Sequence, residues 1–136
     1  MFDFTQGYCG TLKNCYGVWE SDYTSTEADP RGIEADGNMD GLYPDHLRQS
    51  DFKVENMTIV NNAANTADNV DRMQDVIKIR RGAKATITNA LVKGTGGAID
   101  LVDMKDSKGA GNIESSIHIT NTLSLTGLKQ NGELNT

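Results

Sequence analysis

The sequence predicts an all-β chain wound as a right-handed parallel β-helix, a solenoid of about four coils with long loops. Three observations carry that expectation. Four times along the 136 residues, a short segment with apolar residues at alternate positions is followed by a second segment of the same kind. Each second segment runs apolar, polar, Asn, at Asn14, Asn56, Asn89 and Asn121. The distance from first to second segment alternates between short (Phe2 to Leu12, Ile77 to Ile87) and long (Ile33 to Val54, Ile99 to Ile119), as loops inserted at a fixed point of a stacked unit make it. A sandwich does not require Asn at one place in every unit. A stack of coils does, because Asn tolerates the left-handed backbone region and bonds its own main chain, turning a sharp corner between two strands.

The opening arms are residues 1–7, 32–37, 76–82 and 98–102, with apolar pairs Phe2 and Phe4, Ile33 and Ala35, Ile77 and Ile79, Ile99 and Leu101. The closing arms are residues 12–18, 54–60, 87–92 and 119–125. Stacked like on like, Phe2, Ile33, Ile77 and Ile99 form one inward column, and Leu12, Val54, Ile87 and Ile119 another. Asn14, Asn56, Asn89 and Asn121 then form a ladder of amide hydrogen bonds. The unit is plainest over residues 75–93: Ile77 and Ile79 alternate with Lys78 and Arg80, and after a Gly-containing corner Ala85 and Ile87 alternate with Lys84, Thr86 and Thr88 until Asn89 interrupts. The right hand follows the general rule for parallel crossovers.

Loops fill the rest. Residues 20–31 are polar and end in a Pro turn, 36–51 contain Gly37, Gly41 and Pro44, 61–74 hold poor helix formers with no apolar stripe, and 103–116 are rich in Lys, Gly and Ser. Residues 126–136 form a polar tail. Residues 1–136 are expected to be one domain, and because Phe2 already lies inside a strand, the C-terminal part of a longer β-helix.

Composition narrows the function. A formal charge of -6, spread as single acids through the loops, opposes a phosphate backbone, so nucleic acid and anionic membranes are excluded as expected partners. No apolar run approaches the roughly 20 residues of a membrane-spanning helix, and residues 1–5 lack the basic and apolar regions of an export signal. Two cysteines, Cys9 and Cys15, make neither a disulfide framework nor a zinc site; they read as small core side chains, with a Cys9–Cys15 disulfide as the alternative.

Residues 1–8, 31–38 and 75–94 resemble a family of exported right-handed β-helix surface lipoproteins of Bacteroidota-type bacteria, mostly uncharacterised, and the likeness runs from Met1 to about Asn121. In that family the matching segment is the C-terminal part of a longer chain with a lipoprotein signal. The resemblance implies an extracellular or outer-membrane location and a fold akin to pectate-lyase-like helices. It implies no established reaction.

The outward residues of the opening arms form columns as well: Asp3, Glu34, Lys78 and Asp100 in one, Thr5, Asp36, Arg80 and Val102 beside it. Polysaccharide-active β-helices place acidic metal ligands and a base on such a face, where calcium neutralises a uronate and the base removes the proton beside its carboxylate. Lys78 and Arg80 are the candidate catalytic residues on that reading, and Asp3, Glu34, Asp36, Lys78, Arg80 and Asp100 the candidate ligand-binding set. The plainer reading of these columns, set ahead of a working lyase site, is charge pairing across coils, Glu34 with Lys78 and Asp36 with Arg80. Asp36, Asn38 and Asp40 match the first half of a calcium loop with Gly41 at its sixth position, but Leu47 stands where the bidentate Glu belongs.

His46 and His118 have no nucleophile at a recognisable spacing. Trp19, Tyr16, Tyr23 and Tyr43 lie in or beside loops; Trp19 and Tyr16 are expected to cover the core edge, the alternative being aromatic faces that stack on sugars.

The expected function is a non-catalytic cell-surface module for glycan binding or adhesion, requiring no cofactor. The alternatives are a calcium-dependent polysaccharide lyase and a self-assembling scaffold. A first coil with nothing above it is expected to drive self-association.

Overall fold

The computed structural model describes residues 1–26, 30–37, 48–63, 73–96, 98–106, 108–109 and 113–125. Among them lie nine strands: β1 (Phe2–Phe4), β2 (Cys9–Trp19), β3 (Ile33–Asp36), β4 (Asp51–Asn61), β5 (Met73–Arg80), β6 (Lys84–Lys93), β7 (Ala98–Asp103), β8 (Ser116–Thr120) and β9 (Leu123–Ser124). Successive strands alternate between two parallel sheets. One has the order β1-β3-β5-β7, the other β2-β4-β6-β8 with β9 beside β6. The tail at residues 126–136 lies outside the described residues, and no described helix is long and apolar enough to cross a membrane.

Each strand lies beside its equivalent in the next unit, so like stacks on like. Leu12 pairs with Val54, Val54 with Ile87 and Ile87 with Ile119; in the other sheet Phe2 pairs with Ile33 and Ile33 with Ile77. Both sheets feed one apolar cluster, in which the rings of Phe4 from β1 and Phe52 from β4 stack at 4.3 Å. Val54, Ile79 and Ile87 are wholly buried there. Of the two free thiols, Cys15 packs against this cluster, whereas Cys9 is exposed and is not a core side chain.

The asparagine corner is gentler than the sequence suggests. Asn14, Asn56 and Asn89 share a φ of 57°, and strand structure continues through each of them; only at Asn121 does it break, between β8 and β9. The left-handed residue shifts the alternation by one. In β4, Phe52 and Val54 are buried before Asn56, and Met57 and Ile59 after it; in β6, Ala85 and Ile87 precede Asn89 and Ala90 and Val92 follow. The side chains link unit to unit: Asn56 Nδ2 donates to Asn14 Oδ1 at 3.0 Å, and Asn89 Nδ2 to Asn56 Oδ1 at 2.7 Å.

The fourth opening arm departs from expectation. Ile77 pairs with Val102 and Lys78 with Asp103, so Ile99 does not lie beneath Ile77, Asp100 leaves the column of Asp3, Glu34 and Lys78, and Val102 leaves that of Arg80. The offset is three residues, and an odd offset exchanges the two faces of a strand. Ala98 and Val102 are therefore core residues, while Leu101 is only partly buried. The preceding turn positions the strand. Gly96 N donates to Asn61 O at 2.9 Å, and a Cβ on Gly94, whose φ is +134°, would meet that same carbonyl oxygen at 2.0 Å. That close backbone contact sets where β7 begins.

Replacing Asn56 tests the corner and the ladder separately. Asn56→Ala removes two amide bonds and strains a left-handed backbone, and should cost about 2 kcal/mol in urea unfolding; Asn56→Gly relieves the strain and should cost about 1 kcal/mol.

Candidate functional site

The register of β1, β3 and β5 stacks Asp3 on Glu34 and Glu34 on Lys78, with Asp36 beside Arg80. Arg80 reaches both acids of β3. Its Nε donates to Asp36 Oδ1 at 2.6 Å, and its Nη2 donates to Asp36 Oδ2 at 3.2 Å and to Glu34 Oε1 at 2.5 Å. Arg81 Nη1 donates to the same Asp36 oxygen at 2.6 Å. Arg31 bridges the next pair, with Nη1 3.1 Å from Glu34 Oε1 and Nε donating to Asp75 Oδ2 at 3.2 Å. Burial acts to lower the Arg80 pKa, but the hydrogen bond and charge of Asp36 and the charge of Glu34 outweigh it, so the guanidinium is held above its ordinary value. Asp36 is thus committed to two arginines; Asn38 and Asp40, its partners in the candidate calcium loop, lie outside the described residues.

Lys78 makes a different bond from the one across β3. It is only 4% exposed, and its Nζ donates to Asp103 Oδ2 at 2.5 Å. Asp103 Oδ1 accepts the Lys105 amide at 2.7 Å. Burial acts to raise the Asp103 pKa; the Lys78 hydrogen bond, the Lys105 amide and both lysine charges overcome it and hold the carboxyl below its ordinary value. Asp75 goes the other way: burial first, then the Asp103 charge, push it up despite Arg31 and Lys78.

Asp100 lies in this same group, its carboxylate and those of Asp75 and Asp103 having oxygens within 4.8 Å of one another. Sequence reasoning missed this cluster. The available signal was the likeness of Asp75-Val-Ile-Lys78 to Asp100-Leu-Val-Asp103, which is the observed register.

A cleft of about 520 Å³ lies at the β1 edge, lined by Phe2, Asp3, Trp19, Glu20, Tyr23 and Glu34 among others. Trp19 is buried and its Nε1 donates to Tyr23 O at 3.0 Å, while the Tyr23 ring stands edge-on to the indole at 5.9 Å and remains 61% exposed. Tyr16 does not cover the core edge: it is 66% exposed, on the outward side of β2. Burial, then the charges of Glu34 and Asp36, raise the Asp3 pKa. His118 is exposed on β8; His46 and Tyr43 lie outside the described residues.

A family model described as a pectate-lyase like beta helix domain matches residues 1–135. No curated protein and no solved structure matches the chain.

The Lys78–Asp103 pair generates a stability test. A carboxyl whose folded pKa is depressed contributes stability that is complete above the unfolded value and fades as pH falls through the folded one; a raised carboxyl such as Asp75 contributes stability that is lost as pH rises through its folded value. Lys78→Met strands Asp103 among buried acids. It should cost about 3 kcal/mol at neutral pH, recover part of that loss as pH falls, and move the Asp103 carboxyl resonance to titrate above the ordinary carboxylate range by NMR.

Proposed function

The chain belongs to the family of pectate-lyase-like β-helix domains, and on that premise we propose that it is a non-catalytic, carbohydrate-binding module of the cell surface, wound as a right-handed solenoid. The winding is supported by strands that alternate between two parallel sheets and by the right-handedness general to parallel crossovers. One observation carries the functional reading. Both cations of the candidate catalytic column are already held by carboxylates. Beta-elimination on a uronate needs a base able to take a proton and cations able to meet the substrate's carboxylate. Arg80 keeps its proton at any relevant pH and is shared between Glu34 and Asp36; Lys78 is buried on Asp103.

The β1 cleft supplies what binding needs instead. Tyr23 offers an exposed ring on a backbone anchored by its carbonyl to the buried Trp19, with the ring edge-on against the indole, where a sugar face can stack. Asp3 and Glu20 add hydrogen-bond acceptors at the margin.

Calorimetric titration with neutral and uronate hexasaccharides, with and without calcium, tests this reading. Saturable binding is expected with no rise in unsaturated-product absorbance, and Tyr23→Ala should weaken it about fivefold. Product formation that disappears in Lys78→Ala would make the protein a lyase. Absence of binding to every saccharide would remove the glycan reading.

A further inference from the structure

Resting on the carbohydrate-binding reading, we infer that the β1 cleft selects cationic amino-sugar oligomers and rejects uronates. The argument is one of charge availability. Among the described residues, the carboxylates of Asp3, Glu20 and Glu34 line the cleft. Glu34 is shared by Arg31 and Arg80, which leaves it nothing to offer a ligand cation. Asp3 and Glu20 make no side-chain hydrogen bond or ion pair with any described residue, and both are exposed. On the positive side, Arg31 is buried between Asp75 and Glu34, Arg80 lies on Glu34 and Asp36, and Arg81 on Asp36. The other cation of the lining among the described residues is the Met1 ammonium, which donates to Arg31 O at 2.8 Å.

Among the described residues, a uronate entering the cleft would therefore meet two exposed carboxylates, one of them beside the Met1 ammonium, and an arginine already held by acids. Like charges that close repel, and no arginine can turn toward the ligand without abandoning an acid beside it. Burial first, then the charges of Glu34 and Asp36, raise the Asp3 pKa against the Met1 ammonium and Arg80, so the acids outweigh the cations around this carboxyl. A sugar carrying an ammonium reverses the sign. It stacks its ring on Tyr23 as a neutral sugar would and places its charge beside the exposed carboxylates of Asp3 and Glu20.

Titrating the protein at about pH 6 with hexamers of glucosamine, N-acetylglucosamine and galacturonate decides the matter, since carboxylates are ionised there and the amine is largely protonated. At low salt the glucosamine hexamer should bind about threefold to tenfold more tightly than its N-acetylated form, the galacturonate hexamer least. The ratio should fall toward one at about 1 M salt, where the screening length is about 3 Å. It should fall equally in the double variant Asp3→Asn, Glu20→Gln at low salt.

Equal affinity for the two amino-sugar hexamers, or tighter binding of galacturonate, overturns the charge selection. If those results come with neutral binding that Tyr23→Ala weakens, the carbohydrate reading stands and only the selectivity fails. If no hexamer binds, both fall.

Discussion

A left-handed asparagine inside each long strand is the constraint on which both sheets depend. Parallel strands bury like on like only while every strand keeps the same inward phase, and slipping one residue turns all the core residues outward. Asn14, Asn56 and Asn89, each at φ 57°, change that phase at the same place in every unit, so the columns before and after the corner remain in step. A left-handed residue without Cβ relief costs about 1 kcal/mol or more, and a side-chain amide bond returns about as much. The ladder from Asn89 through Asn56 to Asn14 thus makes the strained corner nearly neutral in energy while tying it to one register.

The charged side chains of the other sheet work in the same direction. Arg31 meets Asp75 and Asp36 meets Arg80 at a chain separation of 44, and Lys78 meets Asp103 at 25. Those separations are the register offsets of β3 on β5 and of β5 on β7, so Asp36–Arg80 and Lys78–Asp103 are pairs across neighbouring strands at equivalent positions. Desolvating such charges offsets much of their attraction, which makes them weak sources of stability. A slipped strand, however, leaves a buried ion facing none of its partners. The pairs therefore penalise the wrong register more than they favour the right one.

That difference explains what the sequence disclosed. The Asn corners and the column from Leu12 to Ile119 were legible because apolar alternation and one polar marker repeat together. The fourth arm was not. Ile99 and Leu101 alternate as well as Ala98 and Val102 do, and nothing local says which pair sits beneath the β5 core residues; the register goes with Lys78 pairing with Asp103 and the glycine turn against Asn61, both long-range contacts. Arg31 read as part of a polar loop because nothing local shows that its guanidinium is buried between two strands' acids. Tyr16 and Trp19 are three residues apart on one strand and so face opposite sides; which side is buried follows from the phase shift at Asn14, a shift that no local signal shows.

The free negative charge at the cleft has its origin in topology rather than in composition. Along the column from β1 to β7 the outward residues run Asp3, Glu34, Lys78, Asp103. Members inside the column have strands on both sides: Glu34 draws on Arg80 from β5, and Lys78 on Asp103 from β7. Asp3 sits on the strand with one neighbour, and that neighbour presents another acid. Within this column the ion pairs join β3, β5 and β7, and Asp3 of β1, outside those pairs, lies beside the aromatic pair of the 520 Å³ cleft. The ion pairing that fixes the register of β3, β5 and β7 is thus also what decides the sign of the charge the β1 edge presents to a ligand.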